Sequence, residues 1–362
     1  MKTADLLASL NLVRPALSIP WNRYCAEWII GGSNKPYSPI LTHFCFNDKR
    51  VEAYNGELYV GADTDVDFDL AVPGDFLYRF VSTLKKDIKF KTNKDNLVTI
   101  TSGKSVNKLQ GLPAKDFNCP VIGENDKPTT TLIITEKFIK AVRDLLPFTG
   151  DDQLFPHYIG LLATSDYIYA TNGRIISRAK IKLDLKSDIF IPKSFCIELI
   201  RLISELETIE VFDNFITAYG TKGNKVEVIH SIPDVKFPDC KGTFTSFKKH
   251  LKTDVINIVD EFLDCFERIN LVSQGLIDKN CSLKFDKGGV EFDLDNKSFS
   301  HLNEKVEVKG CKIKDEVEVF IPSLFSCSKI SDKFGVVDSG KAKVLYFIAE
   351  DSKIDILVSL VG

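Results

Sequence analysis

The side chains that could carry out chemistry are numerous in this sequence, but they stand apart from one another. The five histidines show no HExxH or other metal-ligand spacing. The nine cysteines stand singly without a CxxC pair, which favours neither a zinc site nor a disulfide framework, so reduced thiols are expected. Carboxylates are plentiful, yet their context sets no pair apart. We therefore expect no catalytic centre, no metal site and no cofactor.

One segment, Ser102-Gly-Lys-Ser105, resembles the end of a phosphate-binding loop. That motif needs a glycine five residues before its second glycine, and this chain has Val98 there. The residues that follow read as a strand, whereas a phosphate-binding loop leads into a helix. The segment is therefore predicted to end an antiparallel strand.

Length and composition are typical of a globular protein with two or three domains. The chain has 362 residues, of which 44% are hydrophobic and 27% are charged. No apolar run is long enough to span a bilayer, and the N-terminus reads as an amphipathic helix without signal-peptide features, so a cytoplasmic protein is expected. The formal net charge of −3 gives no general attraction to nucleic acid. If DNA is the partner, basic residues must be gathered on one surface.

A short pattern that joins a strand to a helix recurs three times at domain-sized intervals. It covers Val72–Phe76, Ile191–Phe195 and Ile321–Phe325, each with proline in second place and phenylalanine in fifth. Proline ends a strand because it has no N–H to donate, and its fixed φ suits the first helical turn. The phenylalanine is expected to point towards the core. Three such junctions predict three similar units.

Each unit also begins with an amphipathic helix. The predicted apolar stripes are Leu6, Leu7, Leu10 and Val13; Phe138, Ile139, Val142, Leu145 and Leu146; and Phe262, Leu263, Phe266 and Ile269. The second helix of the middle unit is predicted to bury Phe195, Leu199, Leu202, Ile203 and Leu206. Turn-punctuated, alternating segments between the helices read as antiparallel strands. The sequence thus predicts an α+β chain with domains at 1–124, 125–245 and 246–362.

Several short motifs, in this order and spacing, resemble the sliding clamp, the β subunit of bacterial DNA polymerase III. Ala170-Thr-Asn-Gly-Arg174 is similar to the family's Ala-Thr-Asp-Gly-His, and Phe237-Pro-Asp239 to its Phe-Pro-Asp. Lys35-Pro-Tyr-Ser-Pro-Ile-Leu41 looks like Arg-Pro-Thr-Leu-Pro-Ile-Leu, and Leu112–Phe117 matches the end of the first domain. The resemblance covers essentially the whole chain and is that of a diverged clamp, whose host or phage origin stays open.

The resemblance implies three tandem clamp-type domains, each with two helices packed on antiparallel sheets, that form half of a closed ring. Two chains would join head to tail around duplex DNA and hold it without reading its sequence. The protein would not be an enzyme. It would tether a DNA polymerase and a clamp loader, which dock through short peptide motifs in a hydrophobic cleft.

The resemblance also nominates the cleft residues position by position. They are Ile159, Thr171, Gly173, Arg174, Ile175, Ile176, Pro238, Thr243, Val358 and Leu360. For Ile176, an ordinary core position is an equal alternative. Because Arg174 replaces the family's histidine and Leu-Val-Ser-Leu-Val-Gly replaces a methionine-containing C-terminus, we expect a retained site with altered preference.

Candidate DNA contacts come from two sources. The family pattern points to Lys35, Gln153, His157 and Tyr158, and the polar faces of the helices add Arg79, Lys85, Lys86, Lys137, Lys140, Arg143 and Arg201. The alternative for the helix residues is a solvated surface charge, and for Tyr158 a ring packed under its own loop. The helix that starts near Asp260 is acidic on its exposed face, so that face either repels DNA or meets protein.

Two other functions remain compatible with the sequence. One is a clamp-fold protein that does not close a ring and acts as an adaptor or inhibitor of replication proteins. The other is an unrelated enzyme built from three α+β repeats.

Overall fold

A computed structural model describes residues 1–18, 39–119, 122, 126–220, 225–248, 250, 255–274, 276, 278–296, 300–308 and 311–361. The chain divides into two compact units. Unit 1 comprises Met1–Ile134 and Ile197–Pro233, and unit 2 comprises Thr135–Cys196 and Asp234–Gly362. The predicted domain boundaries at 124 and 245 stay predictions.

The described residues contain seven α-helices. They are α1 (Thr3–Val13), α2 (Gly74–Ser82), α3 (Glu136–Leu145), α4 (Lys193–Arg201), α5 (Cys240–Lys248), α6 (Asp260–Ser273) and α7 (Ile321–Ser328). Thr135 begins α3, because its hydroxyl oxygen accepts a hydrogen bond from the Phe138 N–H at 3.2 Å. Helices at the six predicted places are confirmed. The helix α5, within which the predicted domain boundary at 245 falls, was not predicted.

The strands of unit 1 form two antiparallel sheets. Numbered along the whole chain, these strands are β1 (His43–Asn47), β2 (Arg50–Tyr54), β3 (Leu58–Asp63), β4 (Leu70–Pro73), β5 (Lys89–Thr92), β6 (Leu97–Ser102), β7 (Ser105–Gln110), β8 (Leu112–Pro113), β9 (Thr130–Ile133), β14 (Thr208–Val211), β15 (Phe215–Tyr219) and β16 (Val226–Ser231). The nine-stranded sheet has the order β8-β4-β1-β2-β3-β16-β15-β14-β9, and the three-stranded sheet has the order β5-β6-β7.

Two further antiparallel sheets belong to unit 2. Their strands are β10 (Gly160–Ala163), β11 (Tyr167–Thr171), β12 (Ile175–Lys180), β13 (Ile189–Pro192), β17 (Ile256–Asn257), β18 (Asn280–Asp286), β19 (Gly289–Asn296), β20 (Ser300–Glu307), β21 (Asp315–Phe320), β22 (Lys333–Asp338), β23 (Lys343–Ala349) and β24 (Ile354–Ser359). The orders are β13-β10-β11-β12-β24-β23-β22-β17 and β20-β19-β18-β21. The Ser102–Ser105 segment is the turn between β6 and β7, as predicted.

The predicted core positions are mostly buried, with three corrections. In α2 the buried positions are Gly74, Leu77 and Val81, and Phe76 precedes Leu77 by about 100° of helical rotation, so its ring is 52% exposed. The prediction that Phe76 points to the core is therefore wrong, whereas Phe195 is fully buried. Leu263 and Ile203 are also exposed, because each lies beside the buried stripe and not on it.

A cluster of charges supports the junction of β2, β3 and β16 in unit 1. The Arg50 guanidinium lies 3.4 Å from Asp63, 3.5 Å from Glu227 and 3.8 Å from Glu52. The Tyr59 hydroxyl donates to Glu52 at 2.9 Å. Burial raises the pKa of both Glu52 and Glu227, and Arg50 opposes that rise. Since β16 pairs with β3, these charges lie where segments distant in sequence meet.

Replacing Arg50 by alanine is expected to destabilise unit 1 in a pH-dependent way. A carboxyl group whose folded pKa is raised contributes stability at low pH, and that contribution is lost as pH rises through the folded pKa. Without Arg50 this loss of stability is larger. We therefore expect the free energy of unfolding to fall by roughly 2 kcal/mol at pH 8 and by less at pH 5. Urea unfolding at both pH values measures it.

Arg79→Ala is the matched control, because Arg79 is 76% exposed and forms only a surface pair with Asp75. This control should stay within about 0.5 kcal/mol of the wild type. Equal losses for Arg50→Ala at the two pH values would contradict the assigned role of the carboxylates.

Candidate partner-binding site

A tight turn between β11 and β12 is the rigid element of the candidate site. The Asn172 side-chain oxygen accepts hydrogen bonds from the backbone N–H of Arg174 at 3.0 Å and of Ile175 at 2.9 Å. Gly173 has φ +87, a left-handed conformation that glycine adopts without strain. A Cβ at this position would meet the Tyr158 ring at 3.1 Å. The turn and Tyr158 are therefore closely packed.

The strand β24 extends the sheet on the other side of β12. The register places Ile175 opposite Val358 and Ile176 opposite Leu357. The Ser359 N–H then donates to the Arg174 carbonyl at 2.9 Å. Residues nominated from two distant parts of the sequence thus become neighbours.

The nominated cleft residues divide between the two faces of this sheet, because neighbours along a strand point to opposite faces. Ile175 and its partner Val358 are buried on one face. Thr171 pairs with Ile176 and shares the other face with it. There Ile176 packs against a core cluster that includes Phe244 of α5. The core alternative for Ile176 is thus supported, although its side chain stays partly exposed.

The remaining cleft residues lie near the ends of these elements. Cys240 N–H donates to the Pro238 carbonyl at 2.7 Å, and the Thr243 hydroxyl donates to the Asp239 carbonyl at 2.9 Å, so both predicted residues lie at the start of α5. Ile159 lies just before β10, and its carbonyl accepts the Lys193 N–H at 3.1 Å. Leu360 follows β24 and is half-buried.

A groove of about 590 Å³ opens beside the turn. Its lining residues are Pro147, Thr149, Gly150, Asp151, Asp152, Phe155, Tyr158, Asn172, Arg174, Ile175, Phe320, Pro322, Ser323 and Ser326. Of the nominated cleft residues, Arg174 and Ile175 line it. Phe320, Pro322 and Ser323 form a wall that was not predicted, although the third proline junction lies at that place.

The loop before β10 forms another wall of the groove. The Tyr158 ring lies 4.2 Å from the His157 ring and 5.8 Å from the Phe155 ring, measured between centroids. The Gly150 N–H donates to the Tyr158 carbonyl at 2.7 Å. These contacts support the alternative that Tyr158 packs under its own loop. Gln153 is exposed on the same loop, and Lys35 lies outside the described residues.

Several of the predicted DNA-facing cations already have partners. In unit 1, Arg201 donates to the carbonyls of Asn11 at 3.3 Å and Leu12 at 2.6 Å, which terminate α1, and it also pairs with Glu198. Arg79 pairs with Asp75 at 2.8 Å. Such contacts reduce the charge that these side chains offer to a phosphate.

Other predicted DNA-facing cations remain available. Lys85 and Lys86 are exposed beyond α2, and Lys137 and Arg143 are exposed on α3 without an ion pair in the described part of the chain. Lys140, on the same helix, pairs with Asp144 at 2.9 Å and also bonds Ser352. These predictions of DNA contact stay predictions.

The cysteines and potential metal ligands of the described residues are explained by packing. Burial, more than the nearby Asp239 charge, raises the pKa of the Cys240 thiol to about 12, so the thiol is neutral at physiological pH. Among the described residues, no three His, Cys, Asp or Glu side chains form a group that could hold a metal ion. None of the helices that the structure describes combines the length and apolar character needed to cross a membrane.

The α+β fold of these helices and antiparallel sheets is the fold of solved DNA polymerase III beta subunits, the sliding clamps. The chain is similar to a DNA polymerase III beta subunit from Eubacterium rectale, with a TM-score of 0.80, 14% identity and coverage of 100% of this chain and 98% of that one. It is also similar to the Pseudomonas aeruginosa clamp bound to griselimycin, with a TM-score of 0.78, 16% identity and the same coverages.

The beta subunit from Streptococcus pyogenes is similar to a comparable degree, with a TM-score of 0.77, 16% identity and coverage of 100% and 98%. No protein-family model matches the sequence. No curated protein matches it either. At these identities, the property shared with the solved structures is the fold.

The turn at Gly173 yields a prediction about the loop that it touches. Gly173→Ala and Gly56→Ala each place a side chain at positive φ, and each should cost about 1 kcal/mol of stability. Of the two, Gly173 is where the new methyl group meets a neighbour, because at Gly56 no atom of the described residues beyond its chain neighbours lies within 4 Å. Hydrogen–deuterium exchange across residues 149–159 should therefore rise in Gly173→Ala alone. Unchanged exchange in both variants would contradict the contact with Tyr158.

Proposed function

We propose that this chain is a DNA sliding clamp, a non-catalytic cytoplasmic protein that encircles duplex DNA and tethers its polymerase and clamp loader. The observation that carries the proposal is the clamp fold along the whole chain, at TM-scores of 0.77 to 0.80. The groove of unit 2 supports the tethering part. Its aromatic and proline walls with a few polar groups suit apolar anchors of a short peptide.

Two open sheet edges support a head-to-tail homodimer ring. In the described residues, β7 of unit 1 pairs only with β6, and β20 of unit 2 pairs only with β19. An unpaired edge offers N–H and C=O groups to a strand of another chain. Val106 is 60% exposed on β7, and Leu271 is 67% exposed at the end of α6. We infer that β7 of one copy meets β20 of the next.

Charge on these surfaces is complementary. Lys104 and Lys108 are exposed beside Val106, whereas Glu267 and Glu307 are exposed on α6 and β20. A rim of opposite charges around apolar contacts selects a partner and fixes its register. The proposed contact joins the first domain of one copy to the third domain of the next.

The proposed DNA contacts in each unit are exposed cations on a helix or just beyond it. Lys85, Lys86, Lys137 and Arg143 provide charge on long side chains without an ion pair in the described part of the chain. Such side chains attract phosphates without fixing a register on the bases, as a sliding protein requires. The family-based positions Gln153 and His157 are secondary candidates, because Asp151 and Asp152 lie in the same loop.

A second candidate is a clamp-fold adaptor or inhibitor that closes no ring. The exposed face of α6 favours it, because Asp260, Glu261 and Asp264 are exposed on a helix that would have to face DNA. Arg268, the basic residue of that helix, is bound by Glu304 at 2.6 Å. Light scattering separates the candidates, because a stable species of 40.6 kDa at working concentration excludes the ring.

Topological binding gives the direct test of encirclement. The protein is bound to nicked circular DNA, washed at high salt, and the DNA is then cut once. A ring is expected to stay on the circle and to leave through the new ends, because only linkage holds it at high salt. Equal retention on linear and circular DNA would contradict encirclement.

Val106→Glu tests the proposed ring contact. A carboxylate placed among the acidic side chains of β20 and α6 should shift the mass in solution from about twice 40.6 kDa to 40.6 kDa. Ile133→Glu is the matched control, because Ile133 is also an exposed apolar residue on an edge strand, β9, outside the proposed contact. If Val106→Glu stays dimeric, or if both variants dissociate, β7 is not the specific ring contact.

A further inference from the structure

The three-stranded sheet of unit 1 has one packed face and one exposed face. On the packed face, the Phe90 ring of β5 lies 5.5 Å from the Phe68 ring, measured between centroids, and Ile100, which pairs with Phe90 in β6, is fully buried. Neighbouring residues of a strand point to opposite faces, so Lys89 and Lys91 lie on the other face. Both lysines are exposed. The outer face of the sheet is therefore cationic along β5.

The strand register extends this cationic face across the sheet. Lys91 lies opposite Thr99 of β6, and Thr99 lies opposite Lys108 of β7. At the usual strand spacing, the backbones of the two lysines are about 10 Å apart, with a threonine between them. Lys89 lies about 7 Å from Lys91 along the same strand. This face can therefore contact several separate anionic groups at once.

The lysines of this face have no neutralising partner. The exposed lysines on the face or in the turn beside it are Lys89, Lys91, Lys94 and Lys108. None of these four has an ion pair in the part of the chain that the structure describes. Asp87 and Asp95 are the acidic residues of the segment 85–95, which holds five lysines, and Asp95 accepts a hydrogen bond from the Asn93 side chain at 3.3 Å. Like charges without counter-charges destabilise a sheet and attract a polyanion.

The residue types on this face favour duplex DNA among the polyanions. Residues 89–110 contain no arginine, and their one aromatic residue, Phe90, lies on the packed face. A lysine ammonium contacts a phosphate as a point charge and lacks the planar fork with which arginine reads guanine. Single-stranded nucleic acids are held by stacking on exposed aromatic rings, which residues 89–110 do not supply. Duplex DNA carries one negative charge per about 1.7 Å of its axis, so its backbone brings several phosphates within reach.

We propose that these four residues, the lysine face, bind the backbone of duplex DNA that the ring does not encircle. The inference goes beyond the proposed function, in which cations on the helices or just beyond them contact the encircled DNA. Lys85 and Lys86, two of those cations, lead directly into β5, so exposed positive charge continues from the end of α2 onto the lysine face. Lysines on an open strand also discourage pairing with other strands, and experiment separates the two roles.

The probe is a covalently closed, relaxed duplex circle, mixed with the full chain without a clamp loader. A closed ring and a closed circle cannot become linked, so binding to this DNA requires a surface outside the hole. We expect the wild type to bind the circle at low salt and to release it as salt rises, because phosphate contacts depend on salt. Electrophoretic mobility shift measures Kd over a range of salt concentrations.

A triple variant, Lys89→Gln with Lys91→Gln and Lys94→Gln, tests the lysine face. Lys108 is left unchanged because it also borders the proposed ring contact. We expect Kd for the circle to rise on the order of tenfold at low salt. The slope of log K against log salt should become less steep by about 0.9 for each lysine removed.

The matched control removes the same charge elsewhere. Lys180→Gln, Lys182→Gln and Lys186→Gln together replace three exposed lysines that lie close together in the sequence of unit 2. This control should leave both Kd and the salt dependence unchanged. The mass in solution of both triple variants shows whether the ring contact is intact.

The outcomes keep this inference apart from the proposed function. If the wild type stays on nicked circles after a high-salt wash but does not bind the closed circle, the proposed function stands and the inference is overturned. If the closed circle is bound through the lysine face while topological retention fails, the inference stands and encirclement is overturned.

Competition and mass identify other roles of the lysines. If a single-stranded circle or polyglutamate competes as well as duplex DNA, duplex DNA is not the selected partner and the inference is overturned. It is also overturned if the first triple variant binds the closed circle as the wild type does. Loss of the dimeric mass in that variant would assign the lysines to the ring contact instead, and the appearance of larger species would assign them to protection of the open strand.

Discussion

Antiparallel backbone pairing between strands far apart in sequence is the constraint on which this molecule depends. In unit 2, β24 pairs with β12, so residues near position 358 lie beside residues near position 175. In unit 1, β16 pairs with β3 in the same manner. Because a shift of one residue would exchange the two faces of a strand, each register is fixed by the buried side chains on it. The pairing of Ile175 with Val358 and the hydrogen bond from the Ser359 N–H to the Arg174 carbonyl both follow from the β12–β24 register.

Many of the cationic side chains form ion pairs or hydrogen bonds within their own unit. Arg50 balances partly buried carboxylates, Arg201 terminates α1, and Arg178 pairs with Asp355 at 2.7 Å. These side chains stabilise the fold and add little to an outer potential. A net charge of −3 is thus compatible with DNA as a partner only through the smaller set of exposed cations on the helices or just beyond them.

The sequence predicted the elements that depend on local pattern. Proline at the start of a helix and apolar residues at helical spacing are properties of a short segment, and six helices were found from them. The buried face of each helix was harder to predict, because Phe76 and Leu263 each lie one position from the buried stripe. The helix α5 was missed because polar residues separate Cys240, Phe244 and Phe247, which its helical spacing brings to one side.

For the candidate site, the resemblance nominated Arg174 and Ile175, which line the groove, but not its wall of Phe320 and Pro322. Phe320 and Pro322 come near Arg174 only through the packing of unit 2, and no local pattern records such proximity. The sequence shows that Arg174 replaces the family's histidine. It does not show that the Arg174 guanidinium lies over the Phe320 ring.

If copies of this chain meet through the open edges of β7 and β20 as proposed, the pairing has a further consequence for assembly. The two edges are different surfaces, so a contact between them leaves one of each still exposed at the ends of the pair. Such an association either returns to its starting copy or continues as a filament. The rotation between neighbouring copies at each contact decides between these two outcomes. The angle of the contact therefore matters more than its affinity. In the proposed ring, a substitution that left every interface residue in place but altered that angle would turn a closed ring into a filament.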